Sequence, residues 1–338
     1  MNAYLRYPDP SGMMPSIYVL EIRNERLKIR VAGQEMIVVP GQMVTLWEDG
    51  KNYTDFELSL GLDQIPGPNT VDLDDVLALA RDRYKVFALS PEQIETLKQS
   101  ENKNDMFLLG RWYWLTYPER GCVGIAKELF SKAADAGCPD ALMGLANICR
   151  YGAPSEEKTR KYVKLRDEAR KKGSLMADLA FYLDMASGYG CEADPVKAEE
   201  LLGKQLGPIE KRPAEWFDVQ GRIMLEQGRK QEAISKFATA GIRGYAEAYD
   251  RLLPLAPSWD IVLRAEQAGC GSAYLYSYSK TTQGEQVVKK CELALLLGTP
   301  EAAFRLAEIY EKGLYKVTPN KAKAQKYKVR GNQLANRL

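Results

Sequence analysis

A glycine followed four residues later by an alanine recurs from residue 137 onward: Gly137 and Ala141, Gly173 and Ala177, Gly244 and Ala248, Gly269 and Ala273, Gly298 and Ala302, Gly331 and Ala335. Successive glycines are 36, 71, 25, 29 and 33 residues apart, close to one helix pair per step with one double step. A fixed period in this range marks stacked helical repeats, because each helix pair carries an apolar face that only the next pair covers. Such a chain offers an extended surface sooner than a catalytic pocket. The expected unit is a helix, a turn, a second helix and a terminating glycine.

The 338 residues, 45% of them hydrophobic, suffice for a large core and two folded regions. The longest apolar runs, such as Leu293 to Leu297, fall far short of the roughly 20 residues of a membrane helix. The first eight residues, Met1 to Pro8, lack the apolar stretch of a secretory signal, so the cytoplasm is the expected location. Six cysteines at separations of 16, 11, 42, 79 and 21 contain no CxxC pair. They read as reduced thiols packed like small apolar residues, and no metal is expected. The chain has no histidine, which removes the commonest general base and the commonest zinc ligand. No cofactor is expected, and a non-catalytic protein is the preferred reading.

Residues 16 to 58 alternate branched and aromatic residues with turn signals: Ile17 to Leu20, Leu27 to Val31, Met36 to Val39 and Met43 to Trp47, broken at Ala32-Gly33, Pro40-Gly41 and Asp49-Gly50. That pattern predicts a small antiparallel sheet. Beyond Pro66-Gly67-Pro68, Asp72 is expected to open a helix striped by Leu73, Val76, Leu77 and Ala80, and Ser90-Pro91-Glu92-Gln93 to start another. The expected architecture is thus an α+β domain over residues 1–103, followed by an all-α solenoid of six or seven helix pairs over 104–338.

Within the solenoid, the loop Gly188-Tyr189-Gly190-Cys191-Glu192-Ala193-Asp194-Pro195 has glycines for left-handed turns, Asp194 as helix cap and Pro195 in the first helical turn. Residues 105–338 resemble the Sel1-like repeats, relatives of the tetratricopeptide repeats. The resemblance rests on Gly188, Gly190, Asp194, Lys197 and Ala198; on Ala133, Ala134, Gly137, Ala141 and Leu145; and on Gly298, Ala302, Leu306 and Tyr310. It departs from the family phrase at Cys191, in place of valine, and in the irregular stretch Gly207 to Trp216.

The resemblance implies that the first helix of each pair faces a concave groove, one, four and five residues beyond a small residue at the helix crossing. This places Arg111, Trp114 and Leu115 after Gly110, Asn147, Arg150 and Tyr151 after Ala146, Arg222 and Glu226 after Gly221, and Glu308, Glu311 and Lys312 after Ala307. Arginines and aromatics on one face are good anchors for a protein or peptide. Tyr274, Tyr276 and Tyr278 read as either a docking patch or a wedge between short helices.

Charge is uneven. Eight acids and one base lie between Glu48 and Asp75, and eight bases and no acid between Lys312 and Leu338. The preferred function is a scaffold or adaptor holding a partner protein, with a bacterial regulator or a toxin antidote as its sharper form. The competing readings are carboxylate chemistry at Asp72, Asp74 and Asp75, and binding of an anionic ligand or nucleic acid by the basic end. Nucleic acid is the less favoured partner, no membrane span is expected, and a homodimer remains open.

Overall fold

A computed structural model of the chain describes the backbone of segments 2–6, 17–23, 26–31, 34–38, 43–48 and 51–61, and the residues from 73 to 335 apart from 74, 117–119, 206–208 and 278–283. The chain divides into two compact units, Met1–Gly67 and Pro68–Leu338.

The first unit holds strands β1 (Asn2–Arg6), β2 (Ile17–Arg23), β3 (Arg26–Val31), β4 (Gln34–Val38), β5 (Met43–Glu48) and β6 (Lys51–Gly61). They form two antiparallel sheets of three strands, ordered β1-β6-β5 and β2-β3-β4. Registers such as Ile29 opposite Met36 and Leu5 opposite Leu58 run regularly, with shifts at Val19/Glu21 and Val44/Leu46.

The second unit is helical and begins with three short helices, α1 (Val76–Arg81), α2 (Arg83–Phe87) and α3 (Pro91–Gln99). Asp75 caps α1 through a bond from the Ala78 N–H at 3.0 Å. Ser90 and Gln93 complete a reciprocal capping box on α3. Regular pairs follow: α4 (Lys103–Thr116) with α5 (Arg120–Asp135), α6 (Pro139–Arg150) with α7 (Glu156–Lys171), α8 (Leu175–Ser187) with α9 (Pro195–Gln205), and α10 (Ala214–Glu226) with α11 (Lys230–Ile242). The series then shortens to α12 (Ala248–Leu255) with α13 (Trp259–Gln267), and to a 3-10 turn (Gly271–Leu275) with α14 (Gly284–Leu296). It closes on α15 (Pro300–Lys312) and α16 (Lys321–Ala335).

The expected α+β domain over 1–103 does not hold as one body. Leu79, Ala80, Val86, Leu89 and Leu97, from the helices assigned to it, share one core with Phe107, Leu108, Leu109 and Phe130 of the first repeat. Burying that apolar surface against α4 binds 76–99 to the solenoid, and the division falls at Gly67/Pro68.

The repeated glycine has a backbone cause. Gly137, Gly173, Gly244, Gly269 and Gly298 have φ between +80° and +92°, a region open to glycine at little cost. At Gly137 the chain makes two closing bonds, Gly137 N–H to the Ala134 carbonyl and Cys138 N–H to the Ala133 carbonyl, at 3.0 and 2.8 Å. The same pair recurs at Gly269 and Gly298, each a helix end satisfied by a left-handed glycine. Gly331 departs from the expectation: it lies inside α16, and a Cβ there would come within 2.8 Å of the Phe304 ring. Its alanine spacing is a packing coincidence, not a helix end.

Small residues at the crossings work through aromatic wedges. The Phe130 ring of α5 lies where a Cβ on Gly110 or Gly144 would approach within 2.6 or 2.8 Å, so it fits between α4 and α6 only because both are glycine. Gly221 and Phe237 repeat the arrangement at 2.7 Å.

Candidate functional site

The residue order around Asp82 makes a strap. Its backbone is extended (φ −89°, ψ 113°) and separates α1 from α2, so side chains on either side point in several directions at once. Ala80, Asp82, Tyr84 and Val86 are buried, while Arg81, Arg83 and Phe87 reach outward to successive repeats. One Asp82 oxygen accepts the Tyr84 N–H at 3.0 Å and the other the Ala246 N–H at 2.7 Å. Burial, reinforced by the negative Glu247, pushes the Asp82 carboxyl up to about 7.

Anchors distribute along eight residues. The Arg111 guanidinium on α4 donates through Nε to the Ala80 carbonyl at 2.9 Å. Arg81 reaches Asp140 of α6 at 3.8 Å and Glu215 of α10 at 2.7 Å. The Arg83 N–H donates to Glu247 at 2.6 Å, and its guanidinium pairs with Asp250 of α12. Tyr84 donates its hydroxyl to Asp250 at 2.6 Å and shares a hydrogen bond with Ser272 at 3.0 Å. Phe87 packs against Gly298, just before α15, where a Cβ would clash with its ring. At the far end of the unit, Arg330 of α16 donates to the Thr116 carbonyl of α4 at 3.5 Å.

Beside the strap lies a cavity of about 1240 Å³. Seven of the eleven groove residues expected from the sequence line it: Arg111, Trp114, Leu115, Asn147, Arg150, Tyr151 and Arg222. Trp114 is buried and meets Tyr151 edge-on with ring centroids 5.4 Å apart. Arg150 lies over the rings of Tyr162 and Tyr189, at 4.8 and 4.2 Å. Burial and the neighbouring Arg251 lower the pKa of the Arg222 guanidinium, and burial also lowers that of Arg111. Both remain cationic at any physiological pH.

The other four, Glu226, Glu308, Glu311 and Lys312, lie outside the cavity lining. Glu226 is exposed at the end of α10, Glu308 pairs with Arg305 and Lys312, and Glu311 pairs with Lys328. In the last helix pair Glu308 is neutralised by bases of its own helix α15 and Glu311 by Lys328 of α16. The basic end is correspondingly less available than its composition indicates. Of the three tyrosines, Tyr274 is buried, Tyr276 is 39% exposed and lines the cavity, and Tyr278 lies outside the described residues. Asp72 and Asp74 also lie outside them, and Asp75 is the α1 cap. Among the described residues no cluster of three or more acids and cysteines is placed to hold a metal, and no helix is long and apolar enough to cross a membrane.

Sequence reasoning missed Arg83, Asp250 and Ser272, which join the cavity wall along with Glu247, Arg251 and Glu301. Arg83 and Asp250 are 167 residues apart, beyond any repeat period. The one available signal was the dense run Arg81-Asp82-Arg83-Tyr84-Lys85, where an aspartate interrupts a helical stripe.

Comparison with known proteins gave structural neighbours only; no sequence family and no curated protein matches the chain. A Sel1 repeat protein from Oxalobacter formigenes is 19% identical, with 78% of this chain and 99% of that one covered, at a TM-score of 0.33. The protective antigen c5321 of uropathogenic Escherichia coli, described as an SLR fold, is 16% identical over 76% of this chain and 61% of that one, at a TM-score of 0.37. The immunity protein Pa5087 from Pseudomonas aeruginosa is 19% identical over 63% of this chain and 75% of that one, at 0.33. What makes the chain resemble the Sel1-like repeat proteins is its own architecture: helix pairs ended by left-handed glycines and stacked through small residues.

Proposed function

We propose that the protein is a non-catalytic interaction scaffold that holds a partner protein through the cavity face of its helical unit. The observation behind this reading is the convergence of residues from α4, α6 and α10 on one cavity wall, with arginines beside aromatics. Arginine and aromatic side chains in a recessed setting are the groups that carry most binding energy at protein interfaces. The cavity exceeds the roughly 300–1,000 Å³ typical of small-molecule sites, which favours a polypeptide occupant. A bacterial regulator and a toxin antidote are two forms of this function, and no feature of the cavity distinguishes them.

Quantitative co-purification from the native cell tests the reading, using the full chain and an Arg150→Glu, Tyr276→Ala variant that alters two walls. A stoichiometric protein held by the wild type and reduced at least tenfold on the variant is the expected result. A partner retained equally by both would remove the cavity from the binding surface.

A further inference from the structure

The strap sorts the charges of the concave face. Its two arginines and backbone N–H groups engage the acids there: Arg81 takes Asp140 and Glu215, Arg83 takes Asp250, and the Arg83 N–H takes Glu247. A further wall cation is satisfied without the strap, since Arg251 pairs with Asp218 at 3.1 Å. What remains is cationic. Arg222 has no hydrogen bond or ion pair among the described residues, Arg150 meets only aromatic rings there, and Arg111 commits its Nε alone, to the Ala80 carbonyl. The acid on the wall that the strap does not engage is Glu301, exposed near Tyr276. Asp218 and Glu247 act on the Arg222 charge from nearby and Arg150 is exposed, but among the described residues neither guanidinium has a carboxylate hydrogen-bonded to it, and one seated there would gain paired, charge-assisted hydrogen bonds. Trp114 and Tyr151 add apolar walls next to these donors.

We propose that the cavity takes an acidic segment of polypeptide, with carboxylates on Arg222, Arg150 and the free edge of Arg111 and its backbone along Trp114 and Tyr151. This deepens the scaffold reading and rests on it. The strap is what gives the site its sign: by occupying the acids it leaves a positive recess in a chain whose overall charge is only +2.

The test uses the full chain and a fluorescent peptide of six glutamates, against the same peptide in glutamine, inorganic phosphate and a single-stranded oligonucleotide. Binding is followed by anisotropy at low and raised salt. The glutamate peptide is expected to bind at least tenfold more tightly than the glutamine peptide, to weaken with salt, and to lose at least tenfold in an Arg150→Gln, Arg222→Gln variant. Arg222→Lys, which keeps charge but not the planar fork, should lose part of that. Thermal unfolding of each variant checks that the fold is intact, and neither position anchors the strap. Equal binding of the two peptides, no binding of either, or glutamate binding unchanged in the double variant would overturn the proposal. So would displacement by phosphate at matched charge, or tighter binding of the oligonucleotide at the same arginines. A native partner captured by the wild type and lost on Arg150→Glu, Tyr276→Ala, with no glutamate preference, would leave the scaffold standing and remove only its acidic ligand.

Discussion

The regular pairs α4 to α7 and the shortened stretch from α12 to α14 solve the same stacking problem differently. In the first region long helices meet through local wedges: Phe130 fills the space left by Gly110 and Gly144, and outer faces carry exposed pairs such as Lys161 with Glu157. In the second, α12 and α13 have only eight and nine residues, and the next first helix is reduced to a five-residue 3-10 turn. Less surface is available there for neighbour-to-neighbour packing. The strap supplies what is missing, with Arg83 and Tyr84 meeting Asp250 and Ser272, and Phe87 meeting Gly298. A repeat can therefore lose helix length where a distant segment takes over the contacts, so stability is not spread evenly along the stack.

Three changes break or sharpen this contrast. Phe130→Ala removes a fully buried ring from two crossings and should cost about 3–5 kcal/mol. Hydrogen exchange should rise in α4 to α6 while α12 to α14 stay protected; uniform loosening would mean that the two regions are not separate. Asp250→Asn keeps the size of the side chain but removes the charge facing Arg83, Tyr84 and Ser272, with an expected loss of about 2–3 kcal/mol. Its exchange signature should be the opposite, with 76–89 and α12 opening together, and protection retained in the strap would show that Asp250 does not anchor it.

The smallest effect is a pH slope. With the Asp82 carboxyl at about 7, the folded chain holds between pH 4 and 7 a proton that the unfolded chain has released. Stability then falls as pH rises through that window, by at most about 1.4 kcal/mol per pH unit. Asp82→Asn should flatten this contribution in denaturant melts at pH 5 and pH 8, and an unchanged slope would assign it to other groups.

What was legible in the sequence follows from which constraints are local. A helix end with φ near +80° tolerates almost only glycine, so Gly137, Gly173, Gly244, Gly269 and Gly298 stand out. Asp194 was legible as a cap for the same reason, and its carboxylate accepts the Lys197 N–H at 2.9 Å. Gly331 misled because a glycine can also be required by packing inside a helix, and the two causes look alike in one sequence. The strap was not legible. Its partners sit 31 to 211 residues away, and its broken helices follow no single period. The wall residues on α4, α6 and α10 were found through the repeat phase, whereas the phase alone did not tell that α15 would turn Glu308 and Glu311 toward bases of its own pair.

Helical repeat arrays ordinarily gain and lose units with little penalty, since each touches only its neighbours. Here a stretch of eight residues, able to reach at most about 28 Å, must meet Arg111, Asp140, Glu215, Asp250 and Gly298 in order. Deleting α8 and α9, or inserting a pair beside them, would carry Glu215 and Asp250 past the positions where Arg81 and Arg83 wait. The strap thus acts as a gauge of fixed length, and the number of repeats between its two ends is counted by the molecule itself.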